Sequence, residues 1–259
     1  FDDDNVVHVD APVDPVRDKE VVDTELQLKD LETIRNRMQK VEKQAKAGYK
    51  EAERLMQLLK KLDEYVSQGR PVRELERSVE EKEMMKDLQL LTDKPVLYVC
   101  NVDEASVVKG NGYVEDLKQA VKHEDAAVVV VAASVEAEIA ELETEEERQM
   151  FLEDMGLEES GLGRLIRAAY RLLHLETFFT VGPKEVRAWT VKKGATAARA
   201  GGMIHSDFER GFIKADVIKY HDFIDQGSEA ACKESGKIFQ EGKEYIVRDG
   251  DIITFKFNV

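Results

Sequence analysis

The stretch Lys94-Pro95-Val96-Leu97-Tyr98-Val99-Cys100-Asn101-Val102-Asp103-Glu104 decides the fold. Val96 to Cys100 form a short continuous apolar run. A second such run, Ala126-Ala127-Val128-Val129-Val130-Val131-Ala132-Ala133, follows a helical pattern around Tyr113 to Val121. Strands that are apolar without alternation are buried on both faces, and two of them joined by a crossover helix make a parallel pair. In such sheets ligands bind beyond the carboxyl ends of the strands. The segments to read for function are therefore Asn101-Val102-Asp103-Glu104 and the loop Ser134-Val135-Glu136-Ala137. Gly110-Asn111-Gly112 reads as a turn before a helix and is too short for a phosphate loop.

Upstream, the pair Pro12 and Pro15 punctuates the chain before a helical period that opens at about Glu20. Leu31, Ile34, Met38, Val41 and Ala45 form one seam with gaps of three and four, and Ala52, Leu55, Leu59, Leu62 and Val66 form another. Gly48 separates them. The pattern predicts an antiparallel helical hairpin, closed by Gly69-Arg70-Pro71 and followed by a helix through Leu75, Val79, Met84 and Leu88. Its charged faces fit either a solvated bundle or a partner-binding arm. Downstream, an amphipathic helix after Gly163 gives way to short strands at Phe178–Val181, Val186–Val191, Tyr245–Val247 and Ile252–Phe257. Only a brief helical patch, Thr196 to Gly201, interrupts them, which suggests a small β-grasp sheet.

The 259 residues carry 38 Lys+Arg against 53 Asp+Glu, a net charge of −15. Segment by segment the net charge is −4 for residues 1–19, −1 for 20–92, −11 for 93–176 and +1 for 177–259. The acidity therefore sits in one middle stretch and does not exclude an RNA partner. With 42% hydrophobic residues the chain can bury a core, which excludes wholesale disorder. No apolar run approaches the roughly 18 to 20 residues of a membrane span, and no leader is visible, so a cytoplasmic protein without a membrane partner is expected. The opening Phe1-Asp2-Asp3-Asp4, without an initiator Met, reads as the start of a fragment. Cys100 and Cys232 have no CxxC spacing and the five histidines no HxxxH spacing, so no metal ligand is expected.

An Asn followed three residues later by a carboxylate at a strand end resembles the base-recognition element of P-loop GTPases, usually Asn-Lys-x-Asp. The Ser134 loop resembles the next base-contacting element. Several longer stretches, among them Lys94 to Glu104, Ser134 to Leu142, Leu175 to Gly182, Ile204 to Phe212 and Phe257-Asn258-Val259, resemble the YchF / Obg-like ATPase family, in order and over essentially the whole chain. The resemblance implies an α/β fold in four parts. Residues 1–19 and 93–176 would belong to a P-loop G domain with a parallel sheet, residues 20–92 to an inserted coiled-coil hairpin, and residues 177–259 to a ubiquitin-like β-grasp module, the TGS domain.

The resemblance further implies a base site at Asn101, Val102, Glu104, Ser134 and Val135 for ATP or GTP with Mg2+. Guanine offers an N1–H and a 2-amino group that an Asp receives with both oxygens, whereas adenine has an acceptor at N1. Glu104, one methylene longer, displaces that fork and predicts a preference for ATP. Val102 replaces the usual Lys and would leave an apolar wall, while Asp103 could turn inward instead. No Gly-x-x-x-x-Gly-Lys-Ser/Thr occurs in the sequence. The resemblance places the phosphate- and metal-binding parts upstream of the segment matching Phe1, so no catalytic residue is assigned and the chain alone is expected to be inactive.

Two functions are weighed: a nucleoside-triphosphatase switch, preferring ATP or alternatively GTP, and an RNA- or ribosome-binding module whose nucleotide site is regulatory. The second rests on Lys184, Arg187, Lys192, Lys193, Arg199, Arg210 and Lys214 near Trp189 and Phe212. Thirteen basic residues meet twelve acidic ones after residue 176, so a merely solvated face stands beside that reading. The combined expectation is a translation-associated ATPase with the ribosome or ribosomal RNA, not DNA, as partner.

Overall fold

A computed structural model of the chain describes residues 13–182 and 185–258. Phe1 to Pro12, Lys184 and Val259, each part of an expectation above, lie outside them. The described residues divide into two compact units between Ala168 and Ala169.

The first unit opens with helix α1, Pro15–Lys46, which starts ahead of the expected Glu20. The reason is local: the Asp14 side chain accepts from the N–H groups of Val16 and Arg17, and Pro15 sits in the first turn, where no N–H is needed. Gly48, with φ +84°, turns the chain into α2, Lys50–Ser67. The two helices are antiparallel, with Arg35 paired to Asp63 at 2.7 Å and Gln27 donating to the Gly69 carbonyl at 3.0 Å. Leu31 and Ile34 of α1 pack with Leu58, Leu59, Leu62 and Val66 of α2.

The expected continuous helix through Leu75, Val79, Met84 and Leu88 is broken. A 3-10 turn at Val72–Glu74 precedes a short α3, Val79–Met85, and a second 3-10 turn, Lys86–Leu88, follows it. Ser78 starts α3 with a reciprocal capping box to Glu81, so Val79 is a first-turn residue, 87% exposed. Val72, Met85 and Leu90 enter the core in its place. The segment is held by Asp30, 1% exposed in mid α1. Its carboxylate accepts the N–H of Leu91 (2.7 Å), the N–H of Thr92 (2.8 Å) and the Thr92 hydroxyl (2.7 Å). The Thr92 hydroxyl oxygen in turn accepts the Val72 N–H at 3.0 Å.

Strands β1, Val96–Asn101, and β2, Ala126–Val131, pair in parallel, joined by α4, Gly112–Ala120. The Gly110-Asn111-Gly112 turn precedes α4 as expected, and the Asn111 side chain caps the helix by accepting the Val114 N–H. Helices α5, Ala133–Glu141, α6, Glu145–Asp154, and α7, Gly161–Leu172, follow. Where the hairpin meets this sheet, the Glu124 carboxylate receives Lys19 (2.7 Å), Arg73 (3.0 Å) and the Tyr98 hydroxyl (2.9 Å). Lys19 also pairs with Asp23 at 2.6 Å.

In the second unit β3, Leu175–Val181, and β4, Val186–Lys192, form an antiparallel pair. Then come α8, Ala197–Ile204, α9, Ser206–Arg210, β5, Phe212–Ile218, α10, Tyr220–Gln226, α11, Glu229–Glu234, β6, Phe239–Glu241, and β7, Ile252–Phe257. The sheet order is β4-β3-β7-β5-β6, with β3 and β7 parallel. Phe178, Val191, Ala215, Val217, Ile253 and Phe255 face α8 through Ala197 and Ala200. Ile218 and Ile252 look the other way, toward Phe223 and Cys232 of α10 and α11.

Two expectations are corrected here. Tyr245–Val247 is not a strand, since only Ile246 makes a bridge, to Thr196. The Tyr245 hydroxyl is instead bound into a knot with Lys219 and the buried Asp251. The helical content is also larger than one patch, because α9, α10 and α11 are short helices without a full apolar period. His205 caps α9 by accepting the Asp207 N–H on Nδ1.

Candidate functional site

The register of β1 and β2 sets Asn101 opposite Val131, so both strands end at one level. The Val102 N–H extends the ladder to the Val131 carbonyl at 2.8 Å. That last pairing turns the Val102 side chain inward. It is 3% exposed and packs with Val107, Val114, Ala132 and Val135. The expected apolar wall is therefore not made by the Val102 side chain, and only its backbone stands at the edge. Asp103 does not turn toward a base either. Its carboxylate caps the 3-10 turn Glu104–Ser106, taking the Ser106 N–H at 3.0 Å and the Ser106 hydroxyl at 3.1 Å. Glu104 is left exposed at the head of that turn.

After β2 the chain does not form the expected loop. Ala132 takes the N-cap position of α5 and Ser134 and Val135 lie in its first turn. The first N–H groups of a helix have no intrahelical acceptor. An alanine cap supplies no side-chain oxygen, so among the described residues no capping side chain takes the N–H groups of Ser134 and Val135. The Ala133 N–H is taken by Asn101 Oδ1 at 3.0 Å. Asn101 thus ties the end of β1 to the start of α5, and among the described residues nothing takes its Nδ2 donors. Ser134 is exposed, while the Val135 side chain is buried and contributes its backbone.

The end of β1 and the start of α5 thus meet through Asn101, next to the Val102 backbone and the first-turn residues Ser134 and Val135, and Glu104 stands exposed at the head of the turn that follows β1. This donor set fits a purine, whose ring nitrogens accept and whose exocyclic or ring N–H groups donate. Glu136, two residues beyond Ser134, was not singled out by sequence. Its partners lie 25 and 26 residues further along, at Gly161 and Leu162, where no local pattern signals them.

Among the described residues, the basic side chains expected to form a surface in the second unit do not converge on one patch. Alternation along β4 puts Arg187 on the face of Trp189 and Val191, with its guanidinium 4.2 Å from the Trp189 ring. Lys192 is on the opposite face and donates to the Leu173 carbonyl at 2.9 Å. Lys214 alternates against Ala215, which faces α8, and so lies on the α10 side of β5, with β3 and β7 between it and β4. Lys193 approaches Glu176 at 3.9 Å, and Arg210 is paired with Asp207. Arg199 is exposed. Among the described residues no group of three or more His, Cys, Asp or Glu is placed to hold a metal ion.

Comparison with known proteins gives the geometry a context. A family model named YchF-GTPase_C and described as "Protein of unknown function (DUF933)" matches residues 175–258. The ribosome-binding ATPase YchF of Bacillus subtilis (strain 168) is 49% identical over 261 residues, spanning 100% of this chain and 71% of that protein. Obg-like ATPase 1 of Rattus norvegicus is 44% identical over 264 residues, covering 100% of this chain and 66% of its own length. The solved structure of the Schizosaccharomyces pombe YchF GTPase superposes with a TM-score of 0.84 at 32% identity, covering 99% of this chain and 70% of that one. These matches span essentially the whole chain, and the chain belongs to the YchF / Obg-like ATPase family.

Proposed function

We propose that the chain carries the base-reading part of a nucleoside-triphosphatase site, in a translation-associated switch that takes ATP in preference to GTP and docks on the ribosome. The observation that carries the reading is the Asn101 side chain. With Oδ1 held by the Ala133 N–H, Nδ2 is oriented as a donor, beside the N–H groups of Ser134 and Val135. Fixed donors pay little reorganisation when they meet ring nitrogens. Glu104 supplies a carboxylate one methylene longer than the Asp that matches guanine, and the buried Val102 leaves only backbone at the base.

The nucleotide, bound with Mg2+, supplies the β-γ phosphoanhydride that hydrolysis breaks. The residues of this chain bind and orient its base. In the same reading residues 1–19 and 93–176 belong to a G domain, 20–92 form a coiled-coil arm and 177–259 a TGS domain. The antiparallel seam of α1 and α2 supports the arm, and the order β4-β3-β7-β5-β6 with β3 parallel to β7 supports the β-grasp module. Relatives named ribosome-binding ATPases support a ribosomal partner and a cytoplasmic setting. The exposed Arg187 stacked on Trp189 favours RNA as the surface met, and with it the second reading, an RNA-binding module with a regulatory nucleotide.

Calorimetry of the full-length protein tests the proposal. ATP binds more tightly than GTP and Asn101→Ala weakens both. Tighter GTP binding refutes the preference, and an unaffected Asn101→Ala variant refutes the base site. Cosedimentation with ribosomes at low and raised salt, using a Lys192→Glu/Lys193→Glu variant, tests the basic surface, and unchanged pelleting removes it.

A further inference from the structure

Glu136 sits in the first turns of α5, directly after Val135, and reaches the start of α7. Its Oε1 accepts the Gly161 N–H at 2.6 Å and its Oε2 the Leu162 N–H at 3.0 Å. These are amides that a helix start leaves without an internal acceptor, and a carboxylate there also meets the positive end of the helix dipole. Gly161 makes the approach possible. A Cβ at that position would lie 2.8 Å from Glu136 Oε1 and 3.0 to 3.2 Å from the Val131 side chain. Val131 closes β2, is the register partner of Asn101 and accepts the Val102 N–H. One carboxylate and one missing Cβ therefore seat the start of α7 against both the strand end and the helix turn that frame the site. Helix α7 is also the element that carries the chain across the boundary at Ala168 and Ala169 into the second unit.

We propose that Glu136 and Gly161 are positioning residues for the nucleotide base. The clamp holds the first turn of α5, and with it the N–H groups of Ser134 and Val135, in register with Asn101. It acts without touching the base, since both Glu136 oxygens are occupied by α7. Base occupancy and the order of the first turn of α7 then rise and fall together, which couples the site to the root of the connecting helix. This inference rests on the base-site reading above, and the test separates the two.

The experiment uses the full-length protein, titrated with ATP by calorimetry, as wild type and as Glu136→Ala, Glu136→Gln, Gly161→Ala and Asn101→Ala. Hydrogen exchange of the segment 157–165 is followed with and without ATP. Glu136→Ala and Gly161→Ala are expected to raise the ATP Kd about tenfold, the scale on which coupled but non-contacting residues act. Glu136→Gln, which keeps one acceptor oxygen, recovers part of the loss. At saturating ATP kcat stays within about twofold, because the clamp supports binding and not the chemical step. ATP slows exchange at Gly161 and Leu162.

If Asn101→Ala weakens ATP binding while both Glu136→Ala and Gly161→Ala bind as wild type, the clamp is overturned and the base site stands. If Asn101→Ala itself binds as wild type, the base site is overturned and the clamp's role toward a base with it. Should Glu136→Ala fail to fold, wild-type exchange and the Glu136→Gln variant decide: no ATP-dependent protection at 161 and 162 overturns the proposal.

Discussion

Replacing Asp30 by Ala should unlock the return segment of the helical hairpin. The carboxylate is almost completely buried and accepts three hydrogen bonds, from the Leu91 and Thr92 N–H groups and the Thr92 hydroxyl. Each bond to a charged acceptor is worth roughly 1.5–3 kcal/mol, and a buried donor left unpaired costs about 1–3 kcal/mol. Allowing for relaxation and water, Asp30→Ala should destabilise the first unit by about 4 kcal/mol, near the upper end for single substitutions. For a unit of this size that corresponds to a fall in Tm of roughly 8–16 °C. Asp30→Asn keeps the shape but turns an amide N–H2 toward the donors, and should cost about half as much.

The assay is thermal unfolding followed by two probes. Circular dichroism at the helical band is dominated by the helices of the first unit, α1 to α6. The single tryptophan, Trp189, lies in the second unit, and its fluorescence should move less. Thr92→Val removes the hydroxyl that bridges Asp30 and the Val72 N–H, so its effect and that of Asp30→Ala should fail to add by at least about 1 kcal/mol. A Tm shift below about 2 °C for Asp30→Ala, or strict additivity with Thr92→Val, would refute the lock.

Other expectations follow from the same structure. Burial raises the carboxyl pKa of Glu124, but hydrogen bonds from Lys19 and Tyr98 and the charges of Lys19 and Arg73 outweigh it, and the net pKa is lowered. A depressed carboxyl contributes stability above its unfolded pKa and loses it as pH falls through the folded one, so acid should destabilise the wild type more steeply than Glu124→Gln. Burial and the Glu124 carboxylate push Tyr98 up to about 12, so its contribution is complete below pH 10 and lost as pH rises toward 12, a loss that Tyr98→Phe should remove. At Gly211 a Cβ would run into the Asn258 carbonyl, whose own N–H is bonded to the Gly211 carbonyl at 2.9 Å. Gly211→Ala should therefore cost the second unit about 3 kcal/mol by denaturant titration, and a neutral result would contradict the closure of the β5–β7 pair. Glu104→Asp in the full-length protein should move the GTP-to-ATP affinity ratio toward GTP by about tenfold. Residues 1–259 alone should show no ATP turnover above buffer.

The parts legible in the sequence are those that are continuously apolar or strictly periodic, although the two strands are not buried on both faces as expected: Val129 alone among their residues is buried, and Val99 is 47% exposed. Val96 to Cys100 and Ala126 to Val131 are apolar on both faces and read directly as a parallel pair, and the seams from Leu31 and Ala52 read as a hairpin. Strand β5 escaped although Lys214 and Asp216 alternate with Ala215 and Val217, because its alternation is interrupted by a bulge between Phe212 and Lys214. Helices α9, α10 and α11 span five to seven residues each, too short for a moment to show. At the site, Asn101 and Ser134 were legible as positions, but their orientation was not. The side chain of Val102 follows from one extra ladder bond to Val131, and the helical state of Ser134 follows from a strand running straight into α5 with no capping side chain to announce it. Long-range partners such as Glu136 with Gly161 leave no trace in local spacing.

The meeting of Lys19 and Arg73 on one carboxylate has an evolutionary consequence. Both ends of a long excursion are buckled at the same point, so whatever lies between them contributes little to how the sheet is assembled. Chain closure depends only logarithmically on the length enclosed, at about 0.6 kcal/mol per doubling. A lineage could add or delete whole turns in matched positions of α1 and α2 and leave the strand-end residues undisturbed. The reach of the hairpin is thus free to track the dimensions of whatever it touches.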